Sequence, residues 1–331
     1  MRKLRILSAV LVAPALLAST TIARTDALPG VSTKATYVQN PTISVGDPSQ
    51  TIFSFTLPAD TQDRLIRATI RFQANGSGRV LAGFSLNCSN DDQDSYGTSQ
   101  NAFSSSTGQV DMSFISETSS ASSRVCAVKA SAFKIDGEGS SSWTVQSGSF
   151  MSYSYAADSF SKTRFWTSAD GESAKLAPGA SVVPFRATVY GTPKGTTVDL
   201  PVDLKVSSCI GSSGVTDESA VPAGSDLCGG SVRAGASATV RVQVYFRQLN
   251  AAGTDYCDGG PQPAFSTAPQ FTVSALTHHK TFEDVGQEVL SGASACGTTV
   301  RIWAEVTNTS SSVADIVVHS PSTSLTLANA S

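Results

Sequence analysis

The chain has 331 residues, a formal net charge of −3, 40% hydrophobic residues and only 15% charged ones. That length suits two domains of ordinary size, each with its own core. An acidic balance without basic runs argues against nucleic acid and against a polybasic membrane contact, and the hydrophobic content is too high for a disordered chain.

The N-terminus reads "MRKLRILSAVLVAPALLASTTIARTDALPG". Arg2, Lys3 and Arg5 form a basic start, Ile6 to Ala18 a short apolar region, and Ala23 and Ala27 close two small-residue cleavage sites. This pattern predicts a secretory signal peptide over 1–27. Its apolar run is too short to span a membrane. Removal of 1–27 brings the charge to −6. The mature chain is expected to be secreted, extracellular or at the cell surface, where six cysteines pair as disulfides.

From Leu28 the chain alternates with period two, the signature of half-buried strands. In "RATIRFQ", Ala68, Ile70 and Phe72 face one way, and Thr69, Arg71 and Gln73 the other. Asn75-Gly76 is a hairpin signal, because that turn needs positive φ at both central positions. Next comes "NCSNDDQDSYG", which crowds Asp91, Asp92 and Asp94 into one loop. Farther on, Tyr153 and Tyr155 in "FMSYSYAA" share one strand face. Residues 28–157 are read as β-sandwich domain 1 and 158–177, with Phe165 and Trp166, as a linker packing at the junction.

The rest, 178–331, is read as a second sandwich. "ATVRVQVYF" points Val240, Val242, Val244 and Phe246 inward and Arg241, Gln243 and Tyr245 outward. Residues 281–291, "TFEDVGQEVLS", are the one helix candidate. "VRIWAEV" puts Trp303 on the outward face between Arg301 and Glu305, and "DIVVHSPSTSLTL" reads as two short strands around Ser320-Pro321-Ser322.

The two domains match in order. "PGVS" at 29–32 pairs with "PGAS" at 178–181, "KATYVQNP" with "RATVYGTP", "ATIRFQ" at 68–73 with "ATVRVQ" at 238–243, and "QVDMSFIS" with "QFTVSALT". Cys88 and Cys126, 38 residues apart, parallel Cys257 and Cys296, 39 apart. Six ordered matches indicate a tandem duplication. The second copy gains about 20 residues around Cys209 and Cys228. The predicted pairing is therefore Cys88–Cys126, Cys257–Cys296, and Cys209–Cys228 closing an inserted loop at 209–228. The expected fold is all-β: two tandem antiparallel sandwiches, jelly-roll or immunoglobulin-like. Neither copy has a Trp between its cysteines, which favours the jelly-roll.

Catalytic chemistry is thinly represented. The three histidines, His278, His279 and His319, all lie in the second copy, and no GxSxG motif is present. A shared ancestral site cannot depend on them. Calcium suits oxygen-rich loops on β-sandwiches, so Asp91, Asp92 and Asp94 are candidate ligands. Zinc at His278-His279 is disfavoured, since adjacent side chains on a strand point to opposite faces. Exposed aromatics remain, with Trp303, Tyr153 and Tyr155 as the candidates for stacking on a sugar ring. The leading expectation is a secreted, non-catalytic protein that binds carbohydrate or a cell-wall surface. A self-assembling coat or surface subunit is the alternative, and a hydrolase with an unrecognised site comes third.

Overall fold

The computed structural model describes residues 31–34, 41–59, 61, 63–89, 96–117, 121–135, 138–154, 162–165, 173–209, 237–257, 262–274, 277–311 and 314–329. The signal-peptide segment, Tyr155, Trp166, Asp91, Asp92, Asp94 and Cys228 lie outside them. Everything described is strand, turn or irregular chain, except one 3-10 turn at Ser320–Ser322.

The first sandwich has two sheets. Sheet A holds β1 (Val31–Lys34), β2 (Thr42–Ser44), β4 (Arg64–Asn75), β7 (Gly108–Ser116), β9 (Ser142–Val145) and β10 (Phe150–Ser154). Sheet B holds β3 (Gln50–Leu57), β5 (Arg79–Cys88), β6 (Tyr96–Phe103) and β8 (Arg124–Phe133) in the order β3-β8-β5-β6. β9 and β10 run end to end along β4, and β1 and β2 pair with them in turn. Counting each split pair as one strand gives eight, ordered first-eighth-third-sixth and second-seventh-fourth-fifth. That is a jelly-roll order and not an immunoglobulin one.

The alternation in "RATIRFQ" has the predicted result. Ile66, Ala68, Ile70 and Phe72 are buried between the sheets. Phe72, Phe84 and Trp143 make a tilted triangle with ring centroids 5.2 to 5.8 Å apart. Trp143 is fully buried, and its indole N–H donates to the Ser131 carbonyl at 3.0 Å, so no polar group is stranded. The turn at Asn75-Gly76 does not form a hairpin. β4 lies in sheet A and β5 in sheet B, so the chain arches between layers, with φ of 86° at Gly76 and 89° at Gly78.

In the second sandwich, sheet C contains β11 (Lys162–Phe165), β12 (Ala174–Leu176), β15 (Thr197–Ser208), β19 (His279–Val289), β21 (Ile316–Val318) and β22 (Ser324–Asn329). Sheet D contains β13 (Ser181–Val182), β14 (Arg186–Val189), β16 (Ser237–Asn250), β17 (Gln262–Pro263), β18 (Gln270–Ser274) and β20 (Cys296–Asn308). The segment 158–177 therefore does more than link: β11 and β12 are strands of sheet C. The helix candidate is strand β19. Its helix-favouring Glu and Gln residues are overridden by antiparallel pairing with β15 from Thr197↔Val289 to Ser207↔His279.

The duplication is visible in register. β4 pairs with β7 as Arg71↔Gln109 and Ala68↔Met112, and β16 pairs with β18 as Arg241↔Gln270 and Ala238↔Val273. The extra residues of copy two fall between β15 and β16, at 209–236, where copy one needs only 58–63. The disulfides Cys88–Cys126 and Cys257–Cys296 both form. They are not counterparts. Cys88 and Cys126 face each other on neighbouring strands of sheet B, whereas Cys257 ties the loop after β16 to the start of β20 in sheet D. Their similar spacing is a coincidence. Cys209 is also disulfide-bonded.

The copies differ in one sheet. Strands corresponding to β5 and β6 do not pair with β19, and β21 and β22 join the opposite side of β15. Among the described residues, one edge of β19 is thus left without a strand partner. The edges β6 and β7 of the first sandwich pack onto this part of sheet C. The capping there is reciprocal. Backbone N–H groups of His279 and Thr281 donate to Asn101 Oδ1 (2.7 Å) and Gln100 Oε1 (3.1 Å) on β6. Those of Ser113 and Ile115 on β7 donate to Asp203 Oδ2 (3.4 Å) and Thr163 Oγ1 (2.7 Å). Each domain supplies side chains that satisfy the other's bare strand edge, which also blocks edge-to-edge aggregation.

Candidate functional site

The outward face of sheet D carries a group of aromatic and cationic residues. β14, β20, β16 and β17 are neighbours, and their registers align Arg186, Trp303, Tyr245 and Pro263 in one row across the sheet. Val244, Phe246, Ile302 and Ala304 fix the opposite faces of these strands in the core, so alternation forces Tyr245 and Trp303 outward. Both are half-buried. Their rings stack at 5.3 Å with 20° between planes. Each ring is held by the other, so little side-chain freedom is left to lose on binding.

The adjacent row is cationic. Arg247 stands directly opposite Arg301, and Thr188 opposite Arg301 on its other side. Tyr256 sits against both arginines. The Arg247 guanidinium lies 3.2 Å from the Tyr256 ring centroid, and Arg301 Nη1 donates to the Tyr256 hydroxyl at 3.4 Å. The hydrogen bond from Arg301 lowers the phenol's pKa most; burial opposes it, and the charge and hydrogen bond of Arg247 and the charge of Arg301 add smaller lowering effects. An isolated bridge Leu249↔Tyr256 and the neighbouring Cys257–Cys296 disulfide anchor this loop to the sheet.

A second cluster of titratable groups lies where the domains meet, and it is closed. Asp203 is 1% exposed. Burial raises its pKa to about 7, against hydrogen bonds from Ser324 and Ser113 to Oδ2. Arg67 on β4 feels the fields of Asp199, Asp203 and Asp111, although desolvation holds its own pKa below the usual value. The three histidines also gather here, with ring centroids of His278 and His279 4.5 Å apart and of His279 and His319 6.3 Å apart. His319 Nε2 is 2.7 Å from Ser207 Oγ, and His278 Nδ1 is 3.3 Å from Ser208 Oγ. These Ser-His contacts are not accessible nucleophiles. Ser207, Ser208, His278 and His319 are all buried, so a substrate carbonyl has no path to either hydroxyl. Among the described residues no group of three His, Cys, Asp or Glu side chains could hold a metal, and no helix is long and apolar enough to cross a membrane.

Of the residues singled out from sequence, Trp303 is on the outward face where alternation put it. Tyr153 is elsewhere and differently used. It packs against the first core, 4.8 Å from Phe55 between centroids, with the Arg64 guanidinium 5.7 Å from its ring. It is not brought together with Trp303. The residues that sequence reasoning left out of the site are Tyr245, Arg247 and Tyr256. The outward phase of Tyr245 was legible in "ATVRVQVYF". Its partnership with Trp303 depends on the β16-β20 register, which alternation does not supply.

No known protein family matches the chain, and no curated protein does. Among solved structures it is similar to a tandem pair of CBM22 domains from Paenibacillus barcinonensis Xyn10C, at 9% identity over 92% of this chain and 99% of that one, with a TM-score of 0.25. It is also similar to a chain of the T13 viral particle of infectious bursal disease virus, at 8% identity over 92% and 75% of the two chains (TM-score 0.25), and to broad bean stain virus, at 8% over 94% and 95% (TM-score 0.24). Likenesses this distant carry no argument about function.

Proposed function

We propose that this chain is a secreted, non-catalytic protein that binds carbohydrate at the cell exterior through the outward face of sheet D. The observation that carries the reading is the Tyr245–Trp303 stack, two large rings stacked against each other on the outward side of that sheet. Fixed aromatics with polar neighbours suit a ligand that is apolar on one side and hydroxylated on its edges. Disulfides fit an oxidising, extracellular compartment, and the buried Ser-His contacts count against hydrolysis. The test is retention on a panel of insoluble polysaccharides, with Trp303→Ala as the comparison. Retention that falls at least fivefold in the variant supports the reading. If the wild-type chain is retained on none of them and binds no soluble polysaccharide either, carbohydrate binding is rejected. Light scattering that shows self-assembly, abolished by Trp303→Ala, would instead assign the face to contact between copies.

A further inference from the structure

Cross-strand neighbours on a sheet are normally matched in charge, because like charges directly opposite repel. Arg247 and Arg301 break this rule. Neither forms an ion pair with a carboxylate among the described residues, and the Arg247 Nε–H is buried without a hydrogen-bond partner. Across the described outward positions of sheet D, Arg186, Arg241, Arg247 and Arg301 stand against the single carboxylate of Glu305, which is opposite Gln243. The mature chain as a whole is acidic, so this face is a local reversal of sign.

Tyr256 explains how the pair is tolerated without being neutralised. Its ring lies under one guanidinium and its hydroxyl accepts from the other. A π face and a phenol oxygen orient two cations but leave their formal charge in place. Guanidinium groups present their donors in a planar fork that matches carboxylate, sulfate and phosphate oxygens. The Tyr245–Trp303 row lies one side-chain repeat away on the same strands, about 7 Å along the sheet.

We propose that Arg247, Arg301 and Tyr256 form an oxyanion-binding site beside the aromatic row, so that the ligand of sheet D is an acidic glycan. The proposal rests on the reading that this face binds carbohydrate. The aromatic row takes a sugar ring and the arginine pair takes the charged substituent of that ring or of its neighbour. The substituent is a carboxylate or a sulfate, and the experiment separates them.

Affinity electrophoresis of the full mature chain, through gels containing polygalacturonate, dextran sulfate or neutral dextran, tests the proposal. Arg247→Gln, Arg301→Gln and Trp303→Ala are run beside the wild type, with Arg71→Gln, the half-buried arginine of the matching strand in copy one, as the control. The expected result is retardation by at least one acidic polymer and not by neutral dextran. Each arginine variant should weaken it by roughly tenfold, the usual scale for a lost charged hydrogen bond, and Arg71→Gln should leave it unchanged. Retardation by polygalacturonate alone identifies a carboxylate ligand, and by dextran sulfate alone a sulfate. Equal retardation by neutral and acidic polymers, lost in Trp303→Ala but kept in both arginine variants, overturns the oxyanion site and leaves the carbohydrate reading standing. No retardation in any of the gels rejects the oxyanion site, and if the insoluble polysaccharides also fail to retain the chain, both readings fall.

Discussion

The backbone N–H of His279, on the bare edge of β19, donates to Oδ1 of Asn101 in the first domain at 2.7 Å. Asn101 is 2% exposed and stands where a strand of the same sheet would otherwise pair. Together with Gln100, which accepts from Thr281, this amide side chain does for β19 what a neighbouring strand does elsewhere, and it helps to join the two sandwiches.

Asn101→Ala should therefore loosen the joint while leaving each core intact. It strands a buried N–H, which costs about 1–3 kcal/mol. The check is urea unfolding of the full chain, with the loss expected in the second domain. An unchanged midpoint would show that the capping is incidental to stability.

Asp203 lowers the stability of the folded chain as pH rises from 3.8 to about 7. Its pKa is raised from 3.8 to about 7 in the folded chain. The folded state therefore holds a proton that the unfolded state releases between these values, so this contribution is full below pH 3.8 and is lost as pH rises through 7. Over that window the loss is at most about 4 kcal/mol. Arg67 and Asp111 face it from the first domain, and Asp199 and Glu283 flank it in sheet C. Asp203→Asn should flatten this limb and leave the variant more stable than wild type at pH 8. Thermal melts from pH 4 to 8 decide it, and a variant less stable than wild type at pH 8 would contradict the raised pKa.

The histidines oppose that slope on the acid side. Burial, with Arg79 and Lys205 adding repulsion, lowers His278 from 6.5 to about 4. Burial first, then Lys205 and His278, hold His319 well below its usual value. A depressed histidine contributes stability that is present above pH 6.5 and lost as pH falls through the folded value. For His278 this amounts to about 3 kcal/mol between pH 6.5 and 4. The double variant His278→Gln, His319→Gln should lose less stability between pH 6.5 and 4 than wild type does. If its acid limb is as steep as that of wild type, other groups drive acid unfolding.

The Cys88–Cys126 and Cys257–Cys296 disulfides should separate stability from binding. Each closes a loop of about 40 residues, worth roughly 4 kcal/mol in the chain-entropy model. Replacing Cys88 and Cys126 by Ser should lower the melting temperature and leave polyanion retardation as it is. Replacing Cys257 and Cys296 should lower both, because the second bridge also anchors Tyr256 against Arg247 and Arg301. Retardation that survives the second replacement would mean that the loop is held without it.

Local chemistry was enough for much of this molecule. Period-two alternation marks β4, β16 and β20 because one face of each is buried and the other wet, and ordered matches such as "ATIRFQ" with "ATVRVQ" reveal the duplication. On β15 the same alternation, Val198 to Val206 with Asp199, Asp203, Lys205 and Ser207 between them, accompanies two buried faces. Its polar face is covered by another domain, and no local pattern records a partner that arrives from a hundred residues away. The helix-like run at 281–291 misled for a related reason: its conformation over 281–289 is set by pairing with β15. Outward phase was legible for Trp303, Tyr245, Arg247 and Arg301 one strand at a time. Sequence determined which side chains leave the core, because burial acts residue by residue along a strand. Tertiary structure alone decided which of them meet, because strand register is a long-range choice made by the packing of the whole sheet.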